Sequence, residues 1–159
     1  MNTLISILLG LALLIPAEAP TTLFIVRHAE KSAPNGDLPL SAEGRTRAAK
    51  LASMLRDAGV DRIYTTEMVR TRETAEPLAS QLRLNAEAVP VQDVDALVTR
   101  LRALPPGSAA LVVNHSGTIP KIVDKLGGGS IDPLAEDEYD RLLILTIGSG
   151  GAHIVTLRF

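Results

Sequence analysis

The chain has 159 residues, of which 46% are hydrophobic and 21% are charged, and its formal net charge is −2. This length and composition are typical of one globular domain with a substantial core, and they exclude a disordered chain. The weak negative charge, with only two Tyr and two Phe, argues against a nucleic-acid partner, and the absence of cysteine excludes disulfides, thiolate metal sites and a cysteine nucleophile.

The chain begins with a hydrophobic segment, residues 1–19. Its run LISILLGLALLI, Leu4 to Ile15, is almost entirely apolar and is followed by PAEAP. As a helix this run would rise about 18 Å, which is short of the roughly 30 Å hydrocarbon core of a bilayer. A short apolar run followed by small residues predicts a signal peptide, hence an exported, periplasmic protein whose domain occupies 20–159. The alternative is an uncleaved N-terminal segment that tethers the domain to a membrane; with the signal cleaved, no stable membrane insertion is expected.

After this segment, predicted strands and helices alternate along the chain. The apolar run TLFIV (22–26) predicts a first strand, and a helix is expected between Ser41, as its N-cap, and Gly59, just beyond its end. Apolar residues recur in this helix at i, i+3, i+4 and i+7, which gives it one buried face. Arg45 and Arg47 are expected on its solvated face.

The same alternation continues to the end of the chain. The remaining predicted strands are short apolar runs, and they lie at 61–66, 87–91, 108–114, 141–148 and 152–159. The helices between them have one apolar face, and they lie at 67–82, 94–104 and 118–126. Pro77 is expected to bend the first of these, and Asp93 is a natural N-cap for the second. The last two strands are expected to form a hairpin.

This order of elements predicts the α/β fold class. We expect a three-layer α/β/α sandwich whose sheet is mostly parallel, with an antiparallel C-terminal edge strand. Sheets of this kind bind ligands at the carboxyl ends of their strands. Polar clusters at those ends are therefore the candidates for a functional site.

Basic residues and histidines follow the predicted strands at those ends. Arg27 and His28 end the first strand, Arg70 lies one turn into the helix after the second strand, and His115 follows the strand at 108–114. We expect these side chains to converge on one pocket. Such a pocket suits a tetrahedral dianion, because arginine forks match phosphoryl oxygens bidentately.

Four stretches of the sequence carry a family resemblance, and they are RHAEK (27–31), LSAEGRTRA (40–48), YTTEMVRTRETAEPLA (64–79) and VVNHSGTIP (112–120). Together, and in this order, they resemble the histidine phosphatase superfamily, the phosphoglycerate-mutase-like proteins. The resemblance is closest to the small branch that includes the bacterial phosphohistidine phosphatases. It covers essentially all of the chain after the hydrophobic segment.

The resemblance implies a phosphoglycerate-mutase-like fold and a phosphatase that works through a phosphohistidine intermediate. His28 would be the nucleophile, and Arg27, Arg70 and His115 would bind the phosphate. No metal and no cofactor are expected, because the two arginines and a protonated His115 would supply the positive charge. An imidazole needs no separate base near neutral pH. Its other ring nitrogen must be held by an acceptor, for which we expect a backbone carbonyl.

The general acid that protonates the leaving group is not fixed by these motifs. In many members of the family it follows the third strand, where this chain has Asp93 and, less well placed, Asp95. Asp93 can equally be no more than the N-cap of its helix. Glu30 is the second candidate by proximity, although it can instead pair with Arg27 or Lys31.

The expected partner is a phosphorylated small molecule or a phosphoprotein, and the oligomeric state is not indicated. The chain lacks the long insertions by which mutases of this family enclose their intermediate, which favours water as the phosphoryl acceptor. A phosphomutase and a non-catalytic phosphoryl-binding module are the alternatives. The run AEDEYD (135–140) predicts a solvated loop, with a substrate-selecting rim as the alternative. His153 is expected to be structural or exposed.

Overall fold

The structure, a computed structural model, describes residues 18–159. Its strands are β1 (Thr21–Arg27), β2 (Arg62–Thr65), β3 (Ala86–Ala88), β4 (Ala109–Asn114), β5 (Arg141–Gly148) and β6 (Gly151–Arg158). Its helices are α1 (Ala42–Leu55), α2 (Val69–Leu82), α3 (Val94–Arg102) and α4 (Ile119–Lys125). The predicted signal peptide lies outside the described residues apart from its last two. Within the described range, no helix is long and apolar enough to cross a membrane.

Every predicted strand and helix is present, with ends that differ by a few residues. Ser41 caps α1, because its Oγ accepts a hydrogen bond from the backbone N–H of Gly44 at 3.0 Å. Asp93 caps α3 in the same way, accepting from the N–H of Ala96 at 3.0 Å. α2 continues through Pro77. The proline therefore removes one backbone donor without ending the helix.

The six strands form one sheet in the order β3-β2-β4-β1-β5-β6. β3, β2, β4 and β1 run parallel to one another, β5 is antiparallel to β1, and β6 is antiparallel to β5. The predicted α/β fold, with a mostly parallel sheet and an antiparallel C-terminal edge, is confirmed. β3, predicted as the weak strand, forms the opposite edge, just before Pro90.

Helices cover both faces of the sheet, and each face has its own core. On one face, α1 and α2 pack through buried side chains that include Leu51, Leu55 and Leu78. On the other face, α3 and α4 pack through Leu101 and Ile122. Full burial of one such side chain contributes about 1.5–3 kcal/mol. The two cores together hold the sheet between two helical layers.

The strand register places the ends of β1 and β4 side by side. Arg27, the last residue of β1, is paired with Asn114, the last residue of β4. The next residues along the two strands are His28 and His115. The parallel pairing of two strands distant in sequence therefore brings the two histidines together.

α1 begins directly against the segment that follows β1. The backbone N–H of Ser41 donates to the carbonyl oxygen of Glu30 at 2.8 Å. A Cβ at Gly44 would lie 2.2 Å from that same oxygen, so glycine is required for this approach. The first turn of α1 thereby fixes the backbone two residues beyond His28.

Candidate active site

His28 and His115 face each other beyond the ends of β1 and β4. Their ring centroids are 5.3 Å apart and their planes meet at 61°. The charges of Arg27 and Arg70 lower the pKa of both rings. The structure thus brings together the four side chains that the motifs singled out.

His28 is buried, with 4% of its surface exposed. Its Nδ1 lies 2.8 Å from the carbonyl oxygen of Ala29, which confirms the expected backbone acceptor. A carbonyl oxygen only accepts, so Nδ1 carries the proton and Nε2 keeps its lone pair. Burial lowers the pKa of His28 to about 3, with the charges of Arg70 and Arg27 acting in the same direction and the Ala29 hydrogen bond opposing them. At neutral pH the ring is neutral, and its Nε2 can act as a nucleophile.

The peptide of Ala29 is itself held by α2. Its N–H donates to Oγ1 of Thr74 at 2.9 Å, and the Thr74 hydroxyl donates to the carbonyl oxygen of Arg70 at 2.7 Å. Thr74 is buried. One hydroxyl group therefore connects the backbone of Arg70 to that of Ala29, the residue whose carbonyl orients His28.

His115 contacts two side chains. Its Nε2 lies 3.0 Å from Oγ1 of Thr66, and its Nδ1 lies 3.4 Å from NH2 of Arg70. A guanidinium only donates, so Nδ1 is the acceptor and the proton of the neutral ring is on Nε2. Burial, followed by the charge of Arg70, lowers the pKa of His115 to about 4. The expectation of a protonated His115 is therefore wrong for the protein alone, because a third positive charge is disfavoured beside two arginines in a buried site.

Arg27 binds the loop that precedes β5. Its NH1 lies 2.8 Å from the carbonyl oxygens of Ala135 and Glu136 and 3.3 Å from that of Glu138. The run 135–140 is a loop, as predicted, and its residues 135–137 are exposed. Its backbone also contacts the site, because its carbonyl oxygens need donors.

Arg70, in the first turn of α2, is paired with Asp37. Its NH1 lies 3.1 Å from Oδ1 of Asp37. The same carboxylate accepts from the N–H of Val69 at 3.0 Å, and it thereby supplies the cap that the side chain of Met68 does not. Asp37 was not predicted from the sequence. It lies in an irregular loop without periodicity, and the sequence shows only that an acidic residue is close to the motifs.

Two buried donors of the pocket have no protein acceptor. Within residues 18–159, the Nε atoms of Arg27 and Arg70 are buried without a hydrogen-bond partner. Leaving a buried donor unpaired costs about 1–3 kcal/mol, and more for a charged group. A tetrahedral oxyanion beside the His28–His115 pair would satisfy both, since Nε and a terminal nitrogen of a guanidinium form a fork.

A comparison with protein families matches part of the chain. The model of the histidine phosphatase superfamily (branch 1) matches residues 23–93. The resemblance to the histidine phosphatase superfamily is confirmed. The matched segment contains Arg27, His28 and Arg70, whereas His115 lies beyond it. In a sequence comparison, no curated protein matches the chain.

Solved structures share the histidine phosphatase fold. The protein histidine phosphatase SixA, complexed with tungstate, has a TM-score of 0.71 at 22% identity and covers 86% of this chain and 96% of its own. The alpha-ribazole phosphatase from Shigella flexneri has a TM-score of 0.69 at 17% identity, covering 87% and 96%. A phosphoglycerate mutase from Plasmodium falciparum has a TM-score of 0.61 at 20% identity, covering 89% and 91%. At these identities, the likeness shows the predicted phosphoglycerate-mutase-like fold.

Glu30, of the histidine phosphatase RHAE motif, pairs with α1. Its Oε1 lies 2.6 Å from NH2 and 2.8 Å from Nε of Arg47. The alternative in which Glu30 pairs with Arg27 or Lys31 is therefore wrong, and so is the placement of Arg47 on a solvated face. The reason is the close approach at Gly44, which brings the next turn of α1 within reach of Glu30.

The two carboxylates after the third strand that were candidates for the general acid, Asp93 and Asp95, lie in the α3–α4 layer of the fold. Asp93 is exposed, and its carboxylate accepts from the N–H of Ala96 as the cap of α3. Asp95 pairs with Lys125 of α4 at 2.9 Å. Both carboxylates are therefore engaged in the α3–α4 layer. His153 is exposed on β6, in agreement with the sequence analysis.

Proposed function

We propose that the protein is a phosphatase that hydrolyses a phosphomonoester or a phosphohistidine through a phosphorylated His28. The observation that carries the proposal is a buried, neutral His28, with Nδ1 held on the Ala29 carbonyl, beside two arginines whose Nε atoms lack an acceptor among residues 18–159. Arg27 and Arg70 supply the countercharge of the phosphoryl group, so the reaction needs no metal ion. The coarser assignment, to the histidine phosphatase fold, does not depend on this proposal.

In the first step, Nε2 of His28 attacks phosphorus and forms a P–N bond. The bond from phosphorus to the leaving group breaks, and the leaving group takes the electron pair and a proton from solvent water. Nδ1 remains protonated on the Ala29 carbonyl, which supports the positive charge that develops on the ring. The two guanidinium groups stabilise the charge spread over the phosphoryl oxygens.

In the second step, water attacks the phosphorus of phospho-His28. The attacking water releases one proton to solvent, the P–N bond breaks with its electron pair returning to Nε2, and inorganic phosphate leaves. His115 lies across from the attacked ring as a neutral imidazole, and its Nε2 donates to the Thr66 hydroxyl. The ring of His28 returns to its starting tautomer, so the cycle closes without a net proton on the protein.

The carboxylates around the site favour substrates whose leaving group needs little protonation. Each accepts a hydrogen bond from the protein, and they are Glu30, Asp37 and Glu67. An alkoxide leaving group needs a proton in the transition state, whereas an imidazole or an aryl oxide needs it less. This supports a phosphohistidine or another activated phosphoryl compound over a simple alkyl phosphate.

The test compares an aryl phosphate, phosphoramidate and an alkyl phosphate, using the wild type and His28→Ala. We expect release of inorganic phosphate from the first two substrates and loss of activity in the variant, while His153→Ala behaves as wild type. Quenching in alkali during turnover of a labelled substrate should trap the label on His28. Transfer of the label to an isomer of the substrate would indicate a phosphomutase. Binding of phosphate without turnover of any substrate would indicate a phosphoryl-binding module.

We further propose that the protein is exported and acts in the periplasm. The support is the apolar run Leu4–Ile15 followed by small residues. N-terminal sequencing of the protein recovered from its host tests this. A start near Glu18 or Pro20 supports cleavage, and an intact Met1 with the protein in the membrane fraction supports a tether.

A further inference from the structure

The loop Ile131–Asp140, here called the acidic loop, packs one aromatic ring against the proposed phosphate pocket. The Cζ atom of Arg27 lies 4.2 Å from the ring centroid of Tyr139. The Tyr139 hydroxyl lies 3.5 Å from NH2 of Arg27, and the ring centroid of His28 is 6.2 Å away. Tyr139 thus touches the arginine adjacent to the proposed nucleophile and borders the nucleophile itself.

The backbone of the acidic loop is held independently of the Tyr139 side chain. The Glu138 carboxylate lies 2.7 Å from Nε of Arg141 and accepts from the N–H of Ala135 at 3.1 Å. The carbonyl oxygens that bind NH1 of Arg27 belong to this anchored backbone. A substitution confined to the Tyr139 side chain therefore leaves those three acceptors in place.

The contacts on Arg27 divide its donors into two sets. NH1 is taken by the carbonyl oxygens of the acidic loop, whereas Nε is buried and has no partner in the described part of the chain. Only Nε and NH2 are available to an oxyanion. Because the guanidinium is planar, the orientation of its plane decides whether both of these atoms reach the oxyanion together. The aromatic face against Cζ sets that plane.

We propose that Tyr139 is a positioning residue for phosphate binding, which holds the Arg27 guanidinium with Nε and NH2 directed at the phosphoryl group. This rests on the proposed function for its catalytic consequence, but not for its effect on oxyanion binding. The ring is the operative part, since a cation is attracted to an aromatic face. The hydroxyl at 3.5 Å is a weak acceptor and contributes little.

The test uses three variants chosen to separate these contributions. Tyr139→Phe keeps the aromatic face and removes the hydroxyl. Tyr139→Leu keeps apolar bulk and removes the aromatic face. Asp137→Asn changes an exposed residue of the same loop and serves as the control. The readouts are the dissociation constant of inorganic phosphate by calorimetry, and kcat and KM for an aryl phosphate.

We expect Tyr139→Leu to weaken phosphate binding about tenfold and to lower kcat/KM by at least as much, because a misdirected guanidinium stabilises the transition state poorly. Tyr139→Phe and Asp137→Asn should remain within about threefold of wild type. Phosphate binding by Tyr139→Leu equal to that of wild type would overturn the proposal. A loss of phosphate affinity in Tyr139→Phe as large as that in Tyr139→Leu would also overturn it. Circular dichroism and thermal unfolding verify that each variant is folded.

The binding readout separates this inference from the proposed function. If the wild type turns over no substrate but Tyr139→Leu still weakens phosphate binding, the positioning role stands and the phosphatase proposal fails. If the wild type is active and Tyr139→Leu binds phosphate normally, the positioning role alone fails.

Discussion

The carboxylate of Asp37 lies 3.1 Å from the NH1 atom of Arg70 and 3.0 Å from the backbone nitrogen of Val69. One side chain of an irregular loop therefore caps α2 and orients an arginine of the pocket. The pairing occupies NH1, whereas NH2 of Arg70 contacts Nδ1 of His115 and Nε has no partner within residues 18–159. Asp37 is thus a positioning residue for Arg70 in the same sense as Tyr139 is proposed to be for Arg27.

We predict that Asp37→Ala lowers kcat/KM for an aryl phosphate about tenfold, because loss of a charge-assisted hydrogen bond of about 1.5–3 kcal/mol releases Arg70. Asp37→Asn keeps an oxygen acceptor and should recover most of the loss. Asp124→Ala, at an exposed position on α4, is the control. An Asp37→Ala variant with unchanged kcat/KM would show that Arg70 is oriented without this carboxylate.

The sequence predicted what depends on periodicity and strand order. The apolar spacing of the helices and the ends of the strands were sufficient to expect His28 and His115 side by side, because parallel strands align their ends. The partners of charged side chains were not predictable. Glu30 reaches Arg47 only because Gly44 permits close packing, and Asp37 reaches Arg70 across an irregular loop. Such contacts depend on distances between residues in the folded structure, which local sequence patterns do not predict.

The two histidines of the pocket, His28 buried and His115 half-buried, predict a loss of stability in mild acid. The pKa of His28 is about 3 in the folded protein against 6.5 in a model peptide, so the unfolded chain binds more protons between these values. The free energy of unfolding should therefore fall as pH falls from 6.5 towards 3. We compare urea titrations at pH 7.0 and 4.5. Between these pH values, the free energy of unfolding of His28→Gln should fall by about 2 kcal/mol less than that of wild type. His153→Gln, at an exposed position, should lose as much as wild type, and an equal loss in His28→Gln would contradict the prediction.

The ion pair of Glu30 and Arg47 predicts a structural role for this carboxylate. Both oxygens of Glu30 accept from Nε of Arg47, at 2.8 and 3.0 Å, and both side chains are largely covered. We predict that Glu30→Gln lowers the free energy of unfolding by about 1–3 kcal/mol and leaves kcat within about threefold of wild type. The measurement is kcat for an alkyl and an aryl phosphate. A selective loss of alkyl phosphate hydrolysis would instead identify Glu30 as the general acid.

Gly44 provides a test of the close packing between α1 and the segment after His28. Alanine is favoured over glycine in a helix by up to about 1 kcal/mol, so propensity alone predicts that Gly44→Ala stabilises the protein. The new Cβ would lie 2.2 Å from the backbone oxygen of Glu30, which cannot move aside as a side chain can. We predict a net destabilisation of about 1–3 kcal/mol in urea titration. Gly150→Ala, where a Cβ meets nothing within 4 Å, is the control and should be nearly neutral.

Asp93 distinguishes a cap from a general acid through two substitutions. Its carboxylate accepts from the N–H of Ala96 at 3.0 Å, and asparagine can accept in the same geometry without ionising. We predict that Asp93→Asn retains both stability and kcat for an alkyl phosphate, whereas Asp93→Ala loses about 1 kcal/mol of unfolding free energy and keeps its kcat. If Asp93 were the proton donor, Asp93→Asn would keep its stability but would have a lower kcat for the alkyl phosphate. Its kcat for the aryl phosphate would be unchanged. The cap geometry and the exposure of the carboxylate favour the first result, because a donor to a leaving group has to face the pocket while Asp93 is turned to the first turn of α3.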